Sequence, residues 1–219
     1  MINLYNKLNK YNLSDAIDFE KKDLQFVSLN NLYKNLNDKD IFFLILLNSI
    51  VCYQLSSTEK YWSEFSLYFS HISNLDKTNL VNFKDFLKTS KNSRLYDIKI
   101  KRIDKINLFL SEFIINRDYY LTNLYELREK IAFFMNQKNT DKTIVFSIKM
   151  LMYILIVYEI QDISHKKINI PIDSRLTKIF EKYKDYNDIN LFYCDLSEKL
   201  NIAELHLDAL IWVNYDSFI

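Results

Sequence analysis

The sequence contains no glycine and a single proline among its 219 residues. Glycine supplies the positive-φ positions of tight β-hairpins and lets backbone amides close on a phosphate, so its absence excludes a Rossmann fingerprint and a P-loop. Helices need neither residue, and an all-α fold is the expectation. Cysteine is almost as scarce. Cys52 and Cys194 stand far apart, form no CxxC pair and, with only three histidines, offer no zinc or iron-sulfur ligand set. Both read as buried free thiols in a reducing compartment, and neither a metal nor a cofactor is expected. A formal net charge of +1 gives no global attraction for nucleic acid or membrane, so any such surface must be local. Met1 to Tyr11 is polar and asparagine-rich, without a cationic segment followed by an apolar run. That argues against secretion and for a cytoplasmic location.

Apolar and aromatic residues are abundant: 49% of the chain is hydrophobic, with 16 Phe and 16 Tyr. This suffices for a sizeable core in one domain or two small lobes. The stretch Thr143 to Tyr158, TIVFSIKMLMYILIVY, holds one charged residue, Lys149. Too short for a comfortable membrane span and interrupted by a cation, it reads as a helix buried in a soluble core. Taking an ammonium out of water costs several kcal/mol, roughly, unless it is paired or loses its proton. Two readings of Lys149 stay open. It snorkels to the surface or pairs with a carboxylate, or it is an amine with a depressed pKa, available as a nucleophile.

In order, the chain is a series of amphipathic helices with polar joints. Ile2–Lys10 and Ser14–Leu36 come first. Asp38 or Asp40 is placed to cap a helix through IFFLILLNSIVCYQL, apolar nearly all round and therefore central. Ser56 and Glu59 have capping-box spacing and predict a helix under KYWSEFSLYFS, with Trp62, Phe65 and Phe69 on one face. A short helix follows at Asn79–Leu87. Lys88 to Lys105 holds the densest positive charge; on a helix, Arg94, Lys101 and Lys105 share a face while Leu95, Ile98, Ile103 and Ile106 turn inward. Such a stripe is either a solvated face or a phosphate-contacting one.

A helix over Tyr119–Met135 leads through the joint NQKNTDK into the Lys149 helix. This is a helix-hairpin-helix layout over about residues 119–160, in which Asn136 or Asn139 must supply any left-handed residue. The one proline lies in IPIDSR, where Asp173 is placed to cap a helix through SRLTKIFEKY. A carboxylate fixed at such a position also suits stabilisation of a neighbouring cation.

The segments NSIVCYQL, YWSEFSLYFS, TIVFSIKM, IPIDSR and LHLDALIW, in this order, resemble the archaeal 8-oxoguanine DNA glycosylase/lyase family. That family is a divergent branch of the helix-hairpin-helix DNA glycosylases, and the likeness runs from about Gln25 to Trp212. It implies a two-lobed helical bundle, a single glycosylase domain over residues 1–219, with DNA lying over the hairpin and a flipped base held between the lobes. It implies that Lys149 attacks C1′ of the damaged nucleoside and that the resulting Schiff base permits β-elimination. Attack near neutral pH requires the amine to be held well below its ordinary pKa of roughly 10.4. By the same resemblance Asp173 is the essential carboxylate, while Gln25, Trp62, Tyr153, Asp208 and Trp212 form the base pocket. The implied partner is DNA containing oxidised guanine, bound by a monomer. Asn139, Thr140, Lys142, Arg94, Lys101 and Lys105 are the candidates for backbone contacts.

The chain departs from the family pattern in two places. Its hairpin has no glycine, and Ile156 stands where relatives often carry a basic residue two turns after the lysine. The competing classes are a non-catalytic helical interaction protein and a damaged-DNA binder, neither of which would form a covalent adduct.

Overall fold

The computed structural model describes residues 1–36, 41–72, 79–160 and 168–219. Among these every regular element is helical, as the absence of glycine led one to expect. The helices are α1 (Ile2–Leu8), α2 (Leu13–Glu20), α3 (Leu24–Leu36), α4 (Ile41–Ile50), α5 (Thr58–Ser70), α6 (Asn79–Thr89) and α7 (Tyr96–Asn107). They continue with α8 (Leu110–Ile115), α9 (Arg117–Thr122), α10 (Leu124–Met135), α11 (Lys142–Val157), α12 (Ser174–Tyr183), α13 (Ile189–Leu200) and α14 (Glu204–Val213). None is long and apolar enough to cross a membrane.

The chain forms two compact units, Leu24–Ser164 and Met1–Asp23 with His165–Ile219. In the first, α11 packs against α4, α3 and α10, and α3 packs against α5. The α4 helix is buried along nearly its whole length, as its all-round apolar pattern requires. Trp62, Phe65 and Phe69 line the buried face of α5. In the second unit, α2 packs on α14, while α1 and α14 pack with α12 and α13. Leu4, Leu8, Leu176, Ile179, Phe192 and Leu210 lie in its core.

Several boundaries differ from the sequence expectation, each for an identifiable reason. The Ser14–Leu36 segment is two helices; α2 opens with a capping box between Asn12 and Asp15 and stops at Glu20. The proposed caps Asp38 and Asp40 lie outside the described residues. Rather than running on to Leu55, α4 ends at Ile50 because side chains take its last carbonyls. Arg102 Nε donates to the Ile50 carbonyl at 3.1 Å and Asn92 Nδ2 to the Val51 carbonyl at 3.0 Å. The N-cap of α5 is Ser57, which accepts from the Lys60 amide, while the Ser56 hydroxyl donates to the Lys91 carbonyl. The expected Tyr119–Met135 helix breaks at Asn123, whose backbone leaves helical geometry (φ −124, ψ 65) while its side-chain Nδ2 donates to the Tyr119 carbonyl at 3.0 Å.

The basic stripe is also corrected. α7 begins only at Tyr96, so Arg94 precedes it, and Ile98 is exposed. Its buried residues are Lys99, Ile103 and Ile106. Lys101 and Lys105 remain exposed on the helix.

A chain without glycine must place other residues at positive φ. Asn136 (φ 52) closes α10 and Asn201 (φ 53) closes α13, and in both the next amide reaches back five residues, Gln137 to Ala132 and Ile202 to Ser197. Asparagine tolerates this better than other non-glycine residues. Leu95 does the same at the N-cap of α7 (φ 57, ψ 35) with no such advantage. Leu95→Gly should therefore raise stability by about 0.5–1 kcal/mol, seen as a higher urea midpoint at unchanged slope. An unchanged or lower midpoint would mean that Leu95 contributes more by packing than its backbone costs.

Candidate active site

Every residue of α11 from Ile144 to Leu155 except Phe146 is buried. Lys149 is 5% exposed, so it does not snorkel. Its Nζ lies 5.1 Å from the centre of the Tyr153 ring, one turn further on. A cation over an aromatic face gains about 0.5–2 kcal/mol, which offsets part of the cost of burying an ammonium. The buried Tyr153 ring is held edge-on by Phe26 at 5.4 Å, and Phe26 follows the half-buried Gln25 at the start of α3. Trp62 approaches α11 one turn earlier, 6.4 Å from Phe146. It is wholly buried, and its indole N–H faces the Cys52 thiol. Beside it, burial pushes the Cys52 thiol up to about 12 against the pull of Trp62, Lys99 and Lys142. Cys194 is likewise raised by burial, then by Glu204. Both thiols are free and only partly buried, and neither is poised as a thiolate nucleophile.

The hairpin between α10 and α11 is shaped by side chains. One Arg102 guanidinium nitrogen donates to Gln137 Oε1 at 2.8 Å and to Thr143 Oγ1 at 3.1 Å, while Nε holds the end of α4. Gln137 donates to Asp141 Oδ2 at 3.1 Å. Asn139 Nδ2 reaches both Glu129 oxygens, at 2.9 and 3.1 Å, so that side chain is engaged within the hairpin. Thr140 is half-buried and Lys142 exposed. Sequence reading missed Arg102 and the buried Lys99, whose Nζ donates to the Asn92 carbonyl at 3.0 Å and to Asn92 Oδ1. The basic run signalled both, but nothing local distinguished them from Lys101 and Lys105.

In the other unit, Asp173 caps α12 as its spacing implied. Its Oδ1 accepts from the Arg175 and Leu176 amides, both at 2.9 Å. Its Oδ2 accepts from the Trp212 indole N–H at 3.3 Å. Arg175, which sequence reading passed over although it stands within IPIDSR, lies 3.9 Å above the Trp212 ring centre. Asp208, one turn before Trp212 on α14, is 4% exposed. The Tyr193 phenol, donating to the Leu176 carbonyl at 2.7 Å, is held well above its ordinary value by burial, then by Asp208 and Asp173. Asp173, Asp208 and Trp212 thus share one neighbourhood, and Lys149 and Tyr153 another. No group of three or more potential metal ligands occurs among the described residues.

Among the described residues the chain is all-helical, and a hairpin leads into a helix bearing a buried lysine, the layout of the helix-hairpin-helix fold. The model of the AGOG family, N-glycosylase/DNA lyase, matches residues 6–217. The chain is 38% identical over 199 residues to an N-glycosylase/DNA lyase of Methanococcus maripaludis, covering 88% of this chain and 78% of that one. It is 37% identical over 199 residues to its counterpart in Thermococcus kodakarensis, covering 88% and 75%. The fold matches the crystal structure of 8-oxoguanosine-complexed AGOG, the 8-oxoguanine DNA glycosylase of Pyrobaculum aerophilum. That match has a TM-score of 0.81 at 21% identity, over 97% of this chain and 86% of the other. The chain belongs to the AGOG family of N-glycosylase/DNA lyases.

Proposed function

We propose that this enzyme excises 8-oxoguanine from DNA and then nicks the strand through a Schiff base on Lys149. The observation that carries the reading is the burial of a lysine amine in the apolar face of α11, 5% exposed and over the Tyr153 ring. The neutral form of that amine is the nucleophile that attacks C1′. As the Lys149 nitrogen bonds to C1′, the glycosidic bond breaks with its electron pair going to the base. The aminal then opens to an iminium, and loss of a C2′ proton expels the 3′ phosphate. Asp173 supports positive charge on the sugar and shuttles protons to and from the amine. Gln25 and Asp208 read the edge of the extruded base; Trp62, Tyr153 and Trp212 furnish the aromatic surroundings. Thr140, Lys142, Lys101 and Lys105, with Arg94 and Asn139, meet the DNA backbone. The reading takes residues 1–219 as one glycosylase domain, acting as a cytoplasmic monomer without metal or cofactor.

The test is borohydride trapping. Incubation with duplex DNA containing 8-oxoguanine should give a covalent protein-DNA complex, and undamaged duplex should give none. Absence of an adduct on the damaged duplex, with base release still measured, would replace this reading by a monofunctional glycosylase.

A further inference from the structure

We propose that Trp212 acts on the reaction through Asp173, as a positioning residue that fixes the second carboxylate oxygen. The inference rests on the Lys149 and Asp173 reading above. Asp173 Oδ1 is committed to the helix cap, accepting two amides at 2.9 Å. Oδ2 is the oxygen left for chemistry, and its orientation depends on torsion of the carboxylate. The Trp212 N–H, a donor with no acceptor capacity, meets Oδ2 at 3.3 Å from α14. The indole is itself held, because the Arg175 guanidinium carbon lies 3.9 Å from its ring centre and 5.2 Å from that of Tyr215. Arg175 therefore serves the carboxylate twice, with its amide on Oδ1 and with its guanidinium clamping the ring that donates to Oδ2. It also covers one face of the indole, leaving only the other to a stacked base. A carboxylate that stabilises charge developing on a sugar works in proportion to how well it is oriented beforehand.

An abasic duplex separates this role from that of a base platform, because it has no base to stack. There the amine adds to the C1′ aldehyde, and the carbinolamine hydroxyl leaves as water on receiving a proton, giving the iminium; a correctly held carboxylate relays that proton. Trapping rates are measured at saturating abasic duplex for the wild type, Trp212→Phe, Asp173→Asn and the double variant. Trp212→Phe keeps an aromatic ring under Arg175 but lacks the N–H. It should slow trapping about tenfold with the Kd for abasic duplex unchanged, and the effect should vanish in the Asp173→Asn background. Arg175→Met, which releases the indole without altering it, should slow the same step and serves if Trp212→Phe does not fold. Wild-type trapping of abasic DNA by Trp212→Phe, or equal slowing in both backgrounds, overturns the proposal and leaves Trp212 a base platform only. No trapping by the wild type would instead overturn the Lys149 reading itself.

Discussion

Lys149→Ala should yield no borohydride adduct with duplex DNA containing 8-oxoguanine, and should lose strand nicking by about three orders of magnitude or more. The expectation is sharper than in most lysine-dependent sites because the protein holds a second buried lysine as an internal control. Burial draws Lys99 down to about 8 from an ordinary 10.5, helped by the Arg94 charge and opposed by Cys52. On protonation equilibrium alone it is a competing nucleophile. Its environment argues otherwise, since its Nζ donates to the Asn92 carbonyl and to Asn92 Oδ1, and lies 4.9 Å over the Tyr53 ring. That hydrogen bonding ties α7 to the segment before it and leaves the amine engaged. Lys99→Met should therefore unfold more readily, by about 1–3 kcal/mol for the buried acceptors it strands. Per folded molecule, however, it should trap DNA at the wild-type rate. An adduct that survives Lys149→Ala and disappears in Lys99→Met would reverse the two assignments.

Asp173→Asn should lose about 10²–10³-fold in single-turnover excision while its unfolding free energy stays within a few tenths of a kcal/mol of the wild type. An amide oxygen can still accept the Arg175 and Leu176 amides, so the start of α12 is preserved; what is lost is the negative charge. Asp173→Ala removes both and should add about 1 kcal/mol of destabilisation to a similar loss of turnover. The two substitutions together separate the structural from the chemical work of one side chain. Wild-type excision by Asp173→Asn would reduce the residue to a helix cap.

The all-helical character of the described residues was legible in the composition, because no glycine was available for tight hairpins and few polar residues interrupt the longest apolar segments. The buried helix around Lys149 and the cap at Asp173 were legible for the same kind of reason. Each depends on residues within a few positions of one another, where the helical period and the orphan amides of a first turn act directly. The left-handed Asn136 was narrowed to two candidates by the same local logic. Tertiary structure decided where α4 stops, since that depends on Arg102 and Asn92 reaching its last carbonyls from 52 and 41 positions away. It decided which cations of the basic run are buried, Lys99 and not its neighbours. It also joined Trp212 to Asp173 across 39 positions and laid Arg175 over the indole. Helical periodicity assigns a residue to a face of its own helix. Which partner that face meets, and whether a donor on it finds a carboxylate, is set by the packing of helices distant in sequence.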